Sequence, residues 1–367
     1  MKYIFLPFIA IVFFFSCGKH AEFKPRDFSK VEIEHVIEDT LLQVRAIEVS
    51  NNQLWYTGAD GITGRYELLP YNEDFKTSKV FENMKEIVHS RGHFSLRQMN
   101  SDTTGYELRS ISKTNDLLFT LTVGNPAILT RYDSIGKKIV YQETHPKAFY
   151  DSMDFWNDEE GMAIGDATDG CLSVIITRDG GENWTKLTCN DLPKGIDNEG
   201  AFAASDTNIA IVGDYTWVVT TAGRIYYSED KGNTWEVFDT PIVKAKETEG
   251  IYSIDFYDAL NGFAIGGDYT NPDDNAANKM RTMDGGKTWE LVAQHQNPGY
   301  RSCVQYIPNR NGKELVAIGF KGIDYSNDSG RSWKHLSDEG FYTIRFLNDT
   351  IAYAAGAGRI SKLTFRE

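Results

Sequence analysis

The chain has 367 residues, of which 41% are hydrophobic and 25% charged, so it can bury a sizeable core and is not an intrinsically disordered polymer. Its 52 acidic residues outnumber its 38 basic ones, and a formal net charge of −14 without a cluster of Lys and Arg argues against nucleic-acid binding. Aromatic residues make up 13% of the chain and glycines number 32, which favours many strands joined by turns over a helical bundle.

The first residues have the pattern of an export signal. A positive charge at Lys2 precedes an apolar run from Ile4 to Phe15, which is too short to span a bilayer. No later segment is long and apolar enough to do so. We therefore predict a signal peptide over residues 1–16 and an exported mature protein.

Cys17 follows this run directly after the small residue Ser16, a pattern that resembles a bacterial lipobox, with Phe14 where that motif usually has Leu. The resemblance implies lipidation at Cys17 and a location in the bacterial cell envelope, periplasmic or associated with the outer membrane. Residues 17–29 are polar and of mixed charge, as in a lipidated tether. The alternative is an ordinary signal peptide in which Cys17 has no special role.

Export permits disulfides, and three cysteines remain after Cys17, so at least one of them stays free. Cys171 and Cys189 flank one predicted hairpin, where a cross-strand disulfide is geometrically allowed. The sequence leaves open whether it forms. Cys303 is the third cysteine, and no pair has the spacing of a redox or zinc motif.

A pattern of eight residues, [ST]-x-D-x-G-x-[TSN]-W, recurs four times with Trp-to-Trp spacings of 51, 54 and 44 residues. This period is that of one four-stranded propeller blade. The Asp can accept hydrogen bonds from the turn's own amides, the Gly can adopt a positive φ, and the Trp can pack the hairpin onto its sheet. We therefore predict structural hairpins, with these residues: Thr177, Asp179, Gly181, Trp184; Ser228, Asp230, Gly232, Trp235; Thr282, Asp284, Gly286, Trp289; Ser326, Asp328, Gly330, Trp333.

A second repeat precedes these hairpins: the segments 152–155 and 253–256 are alike and lie 101 residues apart, about two periods. Degenerate units at 44–68, 106–143 and 341–365 fit the same scheme of four strands. The predicted fold is a seven-bladed β-propeller over residues 30–367. The β-segment 31–37 would complete the last blade and close the ring, because an open ring would leave an unpaired edge. Residues 69–105 fit the repeat poorly.

The four hairpin motifs resemble the Asp-box, or BNR, repeat of sialidase-like propellers. Together with the export signal and degenerate blades, they also resemble the photosystem II stability and assembly factor family and its bacterial envelope relatives, over roughly residues 40–365. That resemblance implies a non-catalytic propeller that helps assemble membrane protein complexes. It implies no cofactor, and the sequence has no flavin, nicotinamide or haem motif; Gly356 and Gly358 lack the third Gly of a dinucleotide loop.

Strand alternation places the loops between second and third strands and the links between blades on one face, opposite the hairpin motifs. We predict that this face is the binding site and that an acidic arc with neighbouring tyrosines contributes to it. The candidates in loops are Asp166, Asp214, Tyr215, Asp268 and Tyr269, and those in links between blades are Glu199 and Glu249.

Aligning the starts of the inner strands places one residue from each blade in a column near the axis: Arg45, Arg109, Asp151, Ala201, Tyr252, Arg301 and Tyr342. Its three arginines could bind carboxylates bidentately. Acidic and basic sectors together suit a peptide or glycan that carries both kinds of charge. The structural alternative is that these groups only hydrogen-bond loop amides and pair with each other between blades.

A sialidase-like hydrolase is the competing class. It would use Arg45, Arg109 and Arg301 as a carboxylate clamp, with Tyr252 or Tyr342 as the nucleophile activated by Glu199 or Glu249. The Arg-Ile-Pro tripeptide of sialidases is absent, and the blade count is seven rather than six.

Metal binding is not expected. His89 and His93 lack a third ligand nearby, and the segment 271–275 lacks the regular spacing of a calcium loop. We therefore predict a monomeric, lipid-anchored binding or assembly module for proteins or glycans.

Overall fold

The computed structural model describes residues 23–50, 52–68, 86–89, 93–97 and 105–367, with only the backbone of 86–89 and 93–97. This part of the chain consists of antiparallel strands with one 3-10 turn at Ala59–Gly61 and no α-helix. Among the described residues, none forms a helix long and apolar enough to cross a membrane. The predicted signal peptide and Cys17 lie outside the described residues.

The strands are numbered in chain order, and the first five occupy residues 30–97. They are β1 (Lys30–Ser50), β2 (Gln53–Gly58), β3 (Ile62–Glu67), β4 (Glu86–His89) and β5 (His93–Arg97).

Five four-stranded sheets follow, and each has its strands in chain order. The first strands of neighbouring sheets contact one another, so they lie nearest the propeller axis and the later strands follow outward. They comprise β6 (Leu108–Lys113), β7 (Leu118–Thr122), β8 (Ala127–Tyr132), β9 (Lys137–Glu143); β10 (Tyr150–Phe155), β11 (Gly161–Thr168), β12 (Cys171–Thr177), β13 (Thr185–Lys186); β14 (Ile209–Val212), β15 (Tyr215–Val219), β16 (Arg224–Ser228), β17 (Glu236–Asp239); β18 (Glu249–Phe256), β19 (Gly262–Asp268), β20 (Lys279–Thr282), β21 (Glu290–Leu291); β22 (Cys303–Tyr306), β23 (Leu315–Gly319), β24 (Gly322–Ser326) and β25 (Lys334–Ser337).

The remaining strands, β26 (Thr343–Phe346), β27 (Ile351–Ala355) and β28 (Ala357–Arg366), join the first five in one eight-stranded sheet of order β26-β27-β28-β1-β2-β3-β5-β4. The predicted closure by the N-terminal segment is confirmed, since Val31 of β1 pairs antiparallel with Phe365 of β28. The first part of β1, to Gln43, pairs with β28, and the second part, from Val44, pairs with β2.

The all-β propeller prediction is therefore confirmed, but the prediction of seven separate blades is wrong for the described residues, which form six sheets. The reason is β1. Its 21 residues continue without interruption from the outer edge of the last unit into the inner strand of the first, which fuses two predicted blades into one hydrogen-bonded sheet.

Two ends of the propeller are distinguished below. The hairpin face carries the four Trp hairpins 177–184, 228–235, 282–289 and 326–333, together with the turns between first and second strands. The loop face carries the turns between second and third strands and the links between sheets. Apolar clusters fill the space between neighbouring sheets, such as the one that joins Val316, Tyr325, Ala352 and Phe365.

The Trp hairpins have the predicted hydrogen bonds. In the second one, Asp230 accepts from the Thr234 amide at 2.8 Å and from the Thr234 hydroxyl at 2.8 Å, while the Gly232 amide donates to Ser228 Oγ at 2.7 Å. Gly232 has φ 74°, a left-handed conformation that other residues resist. Equivalent bonds occur in the other three hairpins, so their motif residues stabilise turns.

Residues 23–29 were predicted to belong to the tether, but they pack against the hairpin face. The Arg26 guanidinium donates to Glu314 at 2.7 Å, and its carbonyl accepts from the Asn327 side chain at 2.8 Å. Phe28 is 2% exposed and joins an apolar cluster. The described chain is therefore attached to the propeller from its start.

Cys171 and Cys189 form a disulfide, which decides the question that the sequence left open, and Cys303 is free and buried.

Candidate functional site

Four inner strands carry a β-bulge at the same place, near the loop face. The ladder register shifts between the residues that flank Arg45 in β1, Arg109 in β6, Asp151 in β10 and Tyr252 in β18. A bulge re-aims the side chain of its extra residue. Tyr342 stands at the corresponding position directly before β26, so five residues of the predicted column are aligned.

The prediction that Arg301 lies in the column of axial residues is wrong. Ser302 holds the corresponding position, since it directly precedes Cys303, which pairs with Ile318 as Ser253 pairs with Ile265. Arg301 is buried instead in an ion pair with Asp324, with an N···O distance of 2.6 Å. A shift of one residue along the inner strand turns the side chain from the axis into the sheet.

The prediction that Ala201 starts an inner strand is also wrong. Residues 200–208, which we call the axial segment, form no strand and contact inner strands from several sheets. The Ser205 hydroxyl donates to Ser302 O at 2.7 Å, and its carbonyl accepts from Thr343 Oγ1 at 2.8 Å. The Thr207 hydroxyl donates to Ser253 Oγ at 2.8 Å. The chain's own backbone therefore closes the central channel below the loop face.

Arg45 and Arg109, the arginine pair, converge on this segment. Arg109 Nη1 donates to Ala203 O at 3.0 Å, and Arg45 Nη1 to Ala204 O at 3.4 Å. Burial and the neighbouring charge of Arg109 lower the pKa of Arg45, whose guanidinium lies 4.1 Å from the centre of the Tyr342 ring.

The arginine pair is only partly neutralised. Glu107 accepts from Arg109 Nε at 2.7 Å, whereas Arg45 has no ion pair among the described residues. Asp151 lies fully buried near Arg109, and burial raises its pKa well above the usual value. This part of the loop face can therefore accept an anion beside Arg45.

Five aromatic side chains form a cluster next to the arginine pair. Phe202 stacks on Tyr252 at 3.7 Å between ring centres, and Tyr300 meets Tyr252 edge-on at 4.7 Å. Tyr269 and Phe320 flank Tyr300 and are 48% and 43% exposed. The aromatic cluster thus has a buried base and an exposed outer surface, which suits contact with a partner.

Two of the predicted acidic residues are bound by groups of the chain itself. The buried carboxylate of Glu199 accepts from Arg224 Nε at 2.9 Å and from Thr220 Oγ1 at 2.8 Å. Glu249 accepts from the amides of Ala245 at 2.6 Å and Lys246 at 3.1 Å. These contacts match the structural alternative.

Asp268 and Asp166 lie on the loop face as predicted, and both are engaged. Hydrogen bonding from the Thr270 hydroxyl and from Lys246 lowers the pKa of Asp268. Asp166 accepts from the Ala201 amide at 3.2 Å, and burial raises its pKa to about 6. With Glu199 and Glu249, they do not form a free acidic arc.

Asp214 and Tyr215 lie on the opposite face from the one predicted. They stand at the turn from β14 to β15, a first-to-second strand turn on the hairpin face, where Asp214 O accepts from the Lys231 amide at 2.9 Å. The predicted column starts the inner strand of this sheet at Ala201, so the turn at Asp214 was predicted to join the second and third strands; the inner strand is instead β14 (Ile209–Val212).

The tyrosines required by the hydrolase alternative lack their proposed activators. The Tyr252 hydroxyl donates to Thr248 O at 2.8 Å, and burial raises its pKa. Tyr342 lies beneath Arg45. Arg301 is occupied by Asp324, so the three-arginine clamp does not form.

Sequence reasoning missed Phe202, Phe320 and the axial segment. The signal that could have found the segment is the long interval between β13, which ends at Lys186, and β14, which begins at Ile209. Within it, Ala-Phe-Ala-Ala-Ser lacks strand alternation.

Comparisons with known proteins support the fold. No family model matches the chain. A probable oligoxyloglucan-reducing end-specific xyloglucanase from Neosartorya fischeri is 25% identical over 210 residues, which are 52% of this chain and 23% of that protein. The structure titled YCF48 bound to D1 peptide has a TM-score of 0.61 at 14% identity, covering 94% of this chain and 100% of that chain.

The structure of RRP9 WD40 repeats has a TM-score of 0.60 at 9% identity, with coverage of 94% and 100%. At these identities the structural matches establish architecture alone. The chain is therefore an all-β propeller, similar in fold to YCF48 and, over about half its length, similar in sequence to a xyloglucanase.

Proposed function

We propose that this protein is a non-catalytic binding module whose loop face takes an extended segment of a partner protein. The observation that carries the proposal is the arginine pair, which bulges place at the axis beside the exposed rings of Tyr269 and Phe320. A partner carboxylate can bind at Arg45 while apolar side chains cover the aromatic cluster. The peptide in the YCF48 structure supports a peptide over a glycan.

The proposal also includes the predictions from the sequence about the Trp hairpins, the oligomeric state and the location of the protein. The four Trp hairpins act as Asp boxes. The protein functions as a monomer in a bacterial envelope, anchored by a lipid on Cys17.

A photo-crosslinking residue tests the binding face. We expect p-benzoylphenylalanine at Tyr269 to form crosslinks to partner proteins in cells, because this ring is 48% exposed beside the site. The same residue at Tyr215, 36% exposed on the hairpin face, is the matched control and should form none. Arg45→Gln with Arg109→Gln should reduce the Tyr269 crosslink about tenfold or more, because charged hydrogen bonds are lost.

Arg331→Gln, which removes an exposed charge on the hairpin face, should leave the crosslink unchanged. Equal crosslinking from both positions, or none from Tyr269, would contradict the proposal. Turnover of sialosides or xyloglucan oligosaccharides that is lost in Tyr252→Phe would favour the hydrolase alternative instead.

A lipid anchor at Cys17 would orient the propeller relative to the membrane. Because residues 23–29 lie against the hairpin face, an anchor at Cys17 would turn that face toward the membrane and leave the loop face free for partners. We expect Cys17→Ala to abolish lipid labelling and to release the protein from the membrane fraction or leave an uncleaved precursor. Ser16→Ala, which keeps a small residue before the cysteine, is the control, and unchanged labelling of Cys17→Ala would refute the anchor.

A further inference from the structure

A second candidate site lies on the axis at the hairpin-face side of the axial segment. It is a cavity of about 150 Å³, bounded by Asp206 and Thr207 of the axial segment and by inner strands from every sheet. This volume holds several waters or the end of one side chain, since water occupies about 30 Å³ in the liquid.

One position of the repeat supplies most of the lining. It is the third residue after the position that Arg45 occupies in β1, counted along each inner strand. The residues at this position line the cavity: Glu48, Ser112, Asp154, Ile211, Asp255, Gln305 and Arg345. With Asp206, the cavity thus has four carboxyl groups and one guanidinium.

The negative charges are only partly offset within the chain, by the charge of Arg345, which lowers the pKa of all four carboxyl groups. Among the described residues, none of the four carboxylates has an ion-pair partner within 4.0 Å. The guanidinium of Arg345 donates instead to neutral oxygens, Asp206 O at 2.9 Å and Ile344 O at 2.9 Å. Asp206 is 7% exposed, and its Oδ1 has no hydrogen-bond partner there.

Asp206 is buried, and Glu48, Asp154 and Asp255 are only partly exposed at the cavity wall, so these carboxylates lose hydration at a cost in stability. Burial raises the pKa of Glu48 and of Asp255 to about 7 and that of Asp154 to about 6. The groups interact with one another as well, since Asp154 raises the pKa of Glu48. A cation placed among them would offset this cost.

We propose that the axial cavity binds the ammonium or guanidinium tip of an organic cation, either a free amine or a basic side chain. Such a tip fits the small volume and can donate several hydrogen bonds to carboxylates on different strands. A metal ion fits less well, because no group of three or more His, Cys, Asp or Glu within the described ranges is arranged to hold one.

The test uses the full chain at pH 8, where Glu48 and Asp255 are mostly ionised. Titration calorimetry with 1,4-diaminobutane, butylguanidinium and acetyl-Gly-Lys-Gly-amide should show binding, whereas acetyl-Gly-Gln-Gly-amide should show none. Tighter binding of the lysine peptide than of diaminobutane assigns the site to a side chain, and the reverse order assigns it to a free amine.

Glu48→Gln with Asp255→Asn should weaken binding about ten- to hundredfold without lowering the melting temperature. Gln305→Glu adds a carboxylate to the same ring and should tighten binding. Asp197→Asn, an exposed charge outside the cavity, is the control for net charge and should change nothing. The proposal is overturned by no response to any cationic probe, by equal weakening in Asp197→Asn, or by stronger binding of Mg²⁺ or Ca²⁺.

Discussion

Replacing Trp217 with Ala is expected to lower the free energy of unfolding by about 3–5 kcal/mol. This side chain is 0% exposed and stacks on Phe256 of the next sheet, with ring centres 3.5 Å apart. Its Nε1 donates to Gly285 O at 2.8 Å, inside the neighbouring Trp hairpin. The substitution therefore removes contacts between two sheets and leaves a buried carbonyl without its donor.

Chemical denaturation monitored by circular dichroism measures this effect. Trp217→Phe retains the stacking and loses the hydrogen bond, so it should cost about 1–3 kcal/mol. Tyr215→Ala, on the exposed side of the same stack, should cost about 1 kcal/mol or less. A loss for Trp217→Ala no greater than that for Tyr215→Ala would contradict the assigned role of Trp217 in joining the sheets.

Replacing Glu314 with Ala is expected to cost about 3–5 kcal/mol, because it removes the acidic partner of two largely buried arginines. The Glu314 side chain is 0% exposed and accepts from Arg26 at 2.7 Å and Arg310 at 2.9 Å. These bonds attach the segment before β1 to the sheet of β22 and β23. Limited trypsin digestion should then cut faster after Arg26 than in the wild-type protein.

The contribution of Glu314 should also depend on pH. Burial alone would raise its pKa, but hydrogen bonds from Arg310 and Arg26 lower it below the usual value. A carboxyl group whose folded-state pKa is depressed stabilises the fold fully above the unfolded value, about 4.3 for Glu, and less as the pH falls through the folded-state value.

The stability difference between wild type and Glu314→Gln should therefore be constant at pH 6–8 and decrease below about pH 4. Asp349→Asn, which removes the exposed second partner of Arg26, is the control and should change stability by about 1 kcal/mol or less. A difference that widens in acid would contradict the depressed pKa.

The sequence was sufficient to predict the structure where the stabilising interactions are local. Ser228, Asp230, Gly232 and Thr234 lie within one turn, so their spacing specifies the hydrogen bonds without reference to the rest of the fold. The pairing of residues 31–37 with the last strand was predictable because an unpaired edge is costly and alternation marks a strand. The Cys171–Cys189 bond could be proposed but not decided, since spacing alone does not fix Cα distances.

The candidate sites depended on register and on contacts distant in sequence. Bulges align Arg45 and Arg109 at the axis, whereas Arg301 stands one residue away and pairs with Asp324. A one-residue shift reverses the direction of a side chain, and composition does not report it.

By itself, the sequence determined an all-β chain of repeated four-stranded units with Trp hairpins, because strand alternation and turn chemistry act over a few residues. Only the tertiary structure decided that two units share β1, that residues 200–208 close the channel, and that Asp214 lies on the hairpin face. It also brought together Glu48, Asp154 and Asp255, which are about 100 residues apart, because packing of inner strands around one axis creates neighbours that no local pattern encodes.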